Sequence, residues 1–211
     1  MKRILSGPLV VFFALLAFSA PGSTKSGEVS GEIKKADQYC SEIDKAVDKK
    51  ILPTRIFANT GGEDRPDKWK EFKSLKSRDK GCEDGCTEYA VACFKDGKLV
   101  FVDNYFSGED SSFDMTYYFR PDGSAVKIKS GYRQFEAESE EVQGDFVVDI
   151  EQVRYYDPQG NYLKKPFVQY SEVKTNQKLK KVKGIWMKEK DWAELFYTNI
   201  QKLPFYLLMK N

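Results

Sequence analysis

Histidine is absent from this chain of 211 residues. Its absence removes the usual general base near neutral pH, the commonest metal ligand and every Ser-His or Cys-His nucleophile pair. No P-loop pattern, dinucleotide fingerprint or nucleophile elbow occurs either. Long apolar runs are scarce: "LVVFFALLAF", residues 9–18, stops well short of the roughly 20 residues that cross a bilayer. Net charge is nearly lacking, at +2, and there are only four cysteines.

The short apolar run has a meaning of its own. Lys2 and Arg3 precede it and the small residues of "SAPGSTKSG" follow it. That order is the pattern of a secretory signal peptide, and Ala17-Phe18-Ser19 offers a small-x-small cleavage site. The expected organisation is a signal peptide over 1–19, a flexible leader over 20–31 and a single domain over 32–211. Export implies a periplasmic or secreted protein with no transmembrane segment in the mature chain.

Removing Lys2 and Arg3 from 34 basic residues leaves no excess over the 32 acidic ones. A balanced chain has no overall field to draw it to nucleic acid or anionic membranes, so no nucleic-acid partner is expected. Local asymmetry remains. "EAESEE", residues 136–141, is acidic, and residues 174–190 are basic, with Lys178, Lys180 and Lys181 at their centre. Charge runs are usually solvated loops. The sharper reading is that the lysines meet an acidic surface such as a cell-envelope polymer.

Hydrophobic periodicity sets the fold class. Ile33, Ala36, Cys40, Ile43, Val47 and Ile51 recur at steps of three and four, which predicts an amphipathic helix ended by Pro53. Residues 58–81 read mostly as loop. From Thr87 onward, three pairs of aromatic-rich strands flank Asp96-Gly97, "RPDG" (120–123) and "DPQG" (157–160), all turn formers. Phe113, Met115, Tyr117 and Phe119 alternate with Asp114, Thr116, Tyr118 and Arg120, so one face of that strand points to a core. A parity change between Ile150 and Val153 predicts a bulge near Glu151-Gln152. Pro166 predicts an edge position for the sixth strand. Residues 188–204 read as a closing helix, with Asp191 as N-cap, Trp192, Leu195, Phe196 and Ile200 on one face, and Pro204 as its stop.

The expected architecture is α+β: a six-stranded antiparallel meander of three hairpins packed with an N-terminal and a C-terminal helix. The strand–turn–strand units resemble tyrosine- and glycine-punctuated repeats of bacterial surface proteins, and no residue role follows from that resemblance.

The cysteines read as staples. Cys86 and Cys93 on one extended segment would stand about 20 Å apart, beyond the roughly 4.4–6.8 Å between Cα atoms of a disulfide. Cys82 and Cys86 close a tight loop, and Cys40 and Cys93 both point inward. The expected pairing is 82–86 with 40–93, with 40–86 and 82–93 as the alternative. A zinc site would want a second tight pair, and a redox site Cys-x-x-Cys; neither is present, so no metal and no cofactor are expected. The oxygen-rich stretch around Asp103, Glu109, Asp110 and Asp114 lacks the spacing of a calcium loop.

Aromatic residues are the feature in excess, at 14%. In Tyr117-Tyr118 and Tyr155-Tyr156, alternation sends the two rings of each pair to opposite faces. If one sheet face lies under the helices, Tyr118 and one of Tyr155 and Tyr156 stand on the other, unless a second layer covers them. Exposed tyrosines there would bind a glycan or an envelope protein. The expected function is therefore an exported bacterial envelope protein acting as a non-catalytic binding module. The alternatives are a carboxylate-dependent hydrolase of an envelope glycan, which needs no histidine, and a carrier of a small apolar ligand held between sheet and helices.

Overall fold

The computed structural model describes residues 26–61, 66–82, 86, 88–107, 111–144, 146–164, 167–183, 185 and 196–210. The expected signal peptide, Glu109, Asp110, Pro166, Asp191, Trp192 and Leu195 lie outside the described residues.

Helix α1 (Ser26–Asp48) opens the fold, beginning inside the stretch expected as a leader. Its apolar stripe buries Ala36, Cys40 and Ile43. Lys50 takes a left-handed φ of 54° and bonds back to Val47, which turns the chain out of the helix ahead of Pro53.

The sheet has nine strands rather than six: β1 (Thr54–Asn59), β2 (Trp69–Phe72), β3 (Glu88–Lys95), β4 (Lys98–Ser107), β5 (Ser111–Phe119), β6 (Ala125–Ala137), β7 (Phe146–Tyr155), β8 (Phe167–Glu172) and β9 (Lys178–Leu179). All neighbours are antiparallel, in the order β2-β1-β3-β4-β5-β6-β7-β8-β9. The six expected strands are β3 to β8. The additional ones come from segments whose polar composition hid them. A short helix, α2 (Leu75–Gly81), follows β2 and is held by a Ser74–Ser77 capping box. The β3–β4 turn places Asp96 at φ 52° and Gly97 at φ 72°, as a two-residue hairpin loop of the primed type requires.

Two expectations on the strands are corrected. The β6–β7 register runs unbroken from Lys127↔Tyr155 to Gln134↔Val148, so there is no bulge at Glu151-Gln152. The parity changes because Gln152 and Arg154, both buried, take core positions that apolar residues hold at Val148 and Ile150. Strand β8 is not an edge strand, because β9 pairs with its far side.

Each sheet face has its own cover. On one, a row of paired residues crosses six strands: Thr54, Cys93, Phe101, Tyr118, Lys127 and Tyr155, with Thr54 and Tyr155 at its ends. Helix α1 packs over this row. Tyr118 donates to Asp44 at 2.6 Å, Lys127 and Tyr155 donate to Asp37 at 2.6 and 2.7 Å, and Tyr39 donates to the Phe119 carbonyl at 2.6 Å. The opposite face carries the larger core, with Phe57, Val102, Tyr117, Phe119, Ile128, Val148 and Ile150. The C-terminal segment covers it. Phe196, Leu203 and Phe205 are buried there, and Phe205 stacks on Phe57 with ring centroids 4.7 Å apart. The two ends of the chain thus cover opposite faces. Of the expected closing helix over 188–204, the described residues from Phe196 hold only a 3-10 turn (Ile200–Lys202), and a short helix α3 (Tyr206–Met209) follows Pro204.

Cys82 and Cys86 are bonded, with Cα atoms 5.0 Å apart. The expected Cys40–Cys93 bridge is absent, and both residues are buried free thiols. Cys40 lies among Lys127, Lys129, Asp37 and Asp44, over β6, and burial pushes its thiol up to about 12. Cys93 stands on β3 beside Thr54. The strands between them, about 4.8 Å apart each, exceed the span of a disulfide. Denatured without reductant, the protein is expected to take up two equivalents of an alkylating agent, and four after reduction. Mass spectrometry checks both counts.

Burial opposes ionisation of Asp37, but bonds from Lys127 and Tyr155 outweigh it and hold the carboxyl below its ordinary range. Its contribution is therefore present above the unfolded-state value near 4 and is lost as pH falls through the lower folded value. Asp37→Asn is expected to reduce stability at pH 7 by about 1 kcal/mol. Urea titrations should show the gap narrowing as pH falls below about 4; a gap that stays constant through the acid range would contradict the assignment.

Candidate functional site

Helix α1 covers one row of its sheet face, and the rows beyond it on the same face are open. Alternation delivers them in register: Asp103, Thr116, Lys129 and Val153 form the first, Tyr105, Asp114, Gly131 and Glu151 the second, and Ser112, Arg133 and Asp149 the third. All of them but Asp103 line a trough of about 420 Å³ on β4 to β7.

The absence of a side chain at Gly131 shapes the floor. A Cβ there would collide with the Asp114 carboxylate, which lies down over the glycine. Arg133 grips Asp149 through two bonds, from Nε at 2.7 Å and from Nη2 at 2.8 Å. Lys129 leans towards the helix, donating to the Tyr118 hydroxyl at 3.1 Å with Asp44 4.0 Å away. Burial against the sheet raises the Asp114 carboxyl above its usual range, and the charges of Asp149 and Glu151 add to the effect. Burial and then the charge of Asp114 raise Asp103 in the same way, while Thr116 donates to Asp103 at 3.4 Å. Tyr105 gives the trough an exposed aromatic wall. The surface thus offers acceptors, donors and a flat ring side by side. Among the described residues, no group of three or more His, Cys, Asp or Glu is placed to hold a metal ion.

A second concavity, of about 510 Å³, lies between α1 and the turns after β5 and β7. Ala36, Tyr39, Pro121, Val126, Pro158 and Leu163 make it mainly apolar.

The residues expected to bind from the sheet face are elsewhere. Tyr118 and Tyr155 lie beneath α1, and Tyr156 lies in the larger core; all three are buried. The covered-face reading applies, because both faces are roofed where these rings stand. Lys178, Lys180 and Lys181 are exposed on and beside β9. Their neighbourhood is the chain's own acidic run: Lys183 pairs with Glu140 at 3.1 Å, the Lys180 amide donates to Glu141 at 3.0 Å, and Glu138 and Lys183 exchange backbone bonds. Part of the basic segment thus lies against the chain's own acidic run. The trough itself was missed. Its residues were visible as the polar half of each alternating strand, but only the register brings Asp114, Glu151 and Asp149 onto neighbouring rungs.

No helix among the described residues is long and apolar enough to cross a membrane. No known protein family, curated protein or solved structure matches the chain.

Proposed function

We propose that the chain is an exported envelope protein, periplasmic or released, that acts as a binding module and holds a hydroxyl-rich glycan in the trough. The observation that carries this reading is the open half of the α1 face. There a solvent-facing tyrosine, three carboxylates and two cationic side chains converge on a concave surface. Sugar hydroxyls both donate and accept, so carboxylates and guanidinium groups on neighbouring rungs match them, and the flat Tyr105 ring suits an apolar sugar face. The signal-peptide pattern and the Cys82–Cys86 bridge support export.

A second reading follows from one further observation. Burial first, then the charges of Asp149 and Glu151, raise the Asp114 carboxyl above its usual range, the direction that suits a general acid in carboxylate hydrolysis. Tyr105→Ala and Gly131→Ala should each weaken co-sedimentation with purified cell-wall glycan at least ten-fold, with unchanged unfolding midpoints for the first. Undiminished co-sedimentation of both variants would sink the trough reading. Release of reducing sugar that disappears in Asp114→Asn would replace the binding module with the hydrolase.

A further inference from the structure

Away from the trough, Arg154 is 3% exposed on the core side of β7. Its guanidinium stands over the Phe196 ring at 4.4 Å and the Tyr162 ring at 5.4 Å. A buried cation without an anion is costly. Yet among the described residues no carboxylate forms an ion pair with Arg154. Its bonds go to neutral groups. Nε and Nη2 donate to Gln152 Oε1 at 3.3 and 3.0 Å, and Nη1 donates to the Tyr162 hydroxyl. A guanidinium has five N–H bonds in a fixed fork. By count these contacts leave one on Nη1 and one on Nη2, two donors that a carboxylate can take.

A second, independent feature converges on the same place. Tyr156 is 1% exposed, and its buried hydroxyl makes no hydrogen bond. Arg154 and Tyr162 are its nearest polar neighbours and act on its ionisation at hydrogen-bonding range, but neither meets it in full bonding geometry. A buried phenol donor left unsatisfied is costly unless a ligand or ion completes it. The rings of Tyr156 and Tyr162 are 5.1 Å apart between centroids, and Tyr162 is half exposed, so the cluster reaches the surface at that ring.

We propose that Arg154, Tyr156 and Tyr162 form a binding site for a small organic carboxylate. The ligand accepts from the two remaining guanidinium N–H bonds and from the Tyr156 hydroxyl, while Gln152 fixes the guanidinium plane. Phe196 and Tyr162 hold the cation's faces away from water, which strengthens its bonds to an anion. The site is separate from the trough, on the opposite face of the sheet.

Acetate is the probe, titrated at constant ionic strength against chloride, phosphate and sulfate. In protein labelled with nitrogen-15, the Arg154 Nε–Hε resonance should shift saturably with acetate, and the unfolding midpoint should rise. Tyr156→Phe removes the hydroxyl and keeps the ring; it should weaken acetate binding at least five-fold. No saturable shift with acetate in the wild-type protein overturns the site, as does an equal acetate affinity in Tyr156→Phe. Phosphate or sulfate binding as tightly as acetate overturns the assignment to carboxylates. Because the resonance is read in the wild-type protein, a variant that fails to fold leaves the test intact.

Discussion

Strict alternation along one continuous antiparallel ladder governs this structure. From β4 to β7 each residue is committed to a face by its neighbour's choice, and the register holds over long stretches. Adjacent tyrosines make the commitment visible. Tyr117 enters the larger core while Tyr118 turns to α1; Tyr155 turns to α1 while Tyr156 enters the core. A sheet with large rings on both sides has to be roofed on both sides. The N-terminal helix and the C-terminal segment divide that work, and the rows beyond the helix stay open to solvent.

The two roofs are attached by different chemistry. The C-terminal segment contributes large apolar groups, with Phe205 stacked on Phe57 and tilted against Trp69. Helix α1 offers small ones, Ala36, Cys40 and Ile43, and relies more on Asp37 and Asp44 reaching tyrosine and lysine side chains on the sheet. Those bonds join the helix to the trough, since Lys129 touches Tyr118 and also lines the open rows. Glycine at 131 completes the arrangement by leaving Asp114 a place to lie on the sheet.

Much of this was legible in the sequence. Three turns of the Asp/Pro/Gly type marked the hairpins, and Phe113, Met115, Tyr117 and Phe119 were the right core residues of their strand. Strand β1, at residues 54–59, was obscured by its place between a proline and a long polar stretch, and β2 by its lysine and glutamate content. Burial of Gln152 and Arg154 imitated a bulge, because a polar residue at a core position looks like a slip in period. Long-range proximity was out of reach: which carboxylates share a trough, and that the acidic run lies against the basic one, depend on the stacking order of strands. The Cys40–Cys93 pairing failed for the same reason. Both residues do point at the helix–sheet interface, but at different strands.

The five-residue ring closed by Cys82 and Cys86 has a consequence for biogenesis. In a chain threaded across a membrane from its N-terminus, Cys40 emerges long before the other three, and Cys82 then arrives ahead of its proper mate. An oxidant acting early would couple those first two and trap α1 in the wrong neighbourhood. Were the chain exported as proposed above, correct maturation would require that the helix find its seat, or that an isomerase intervene, before oxidation becomes final.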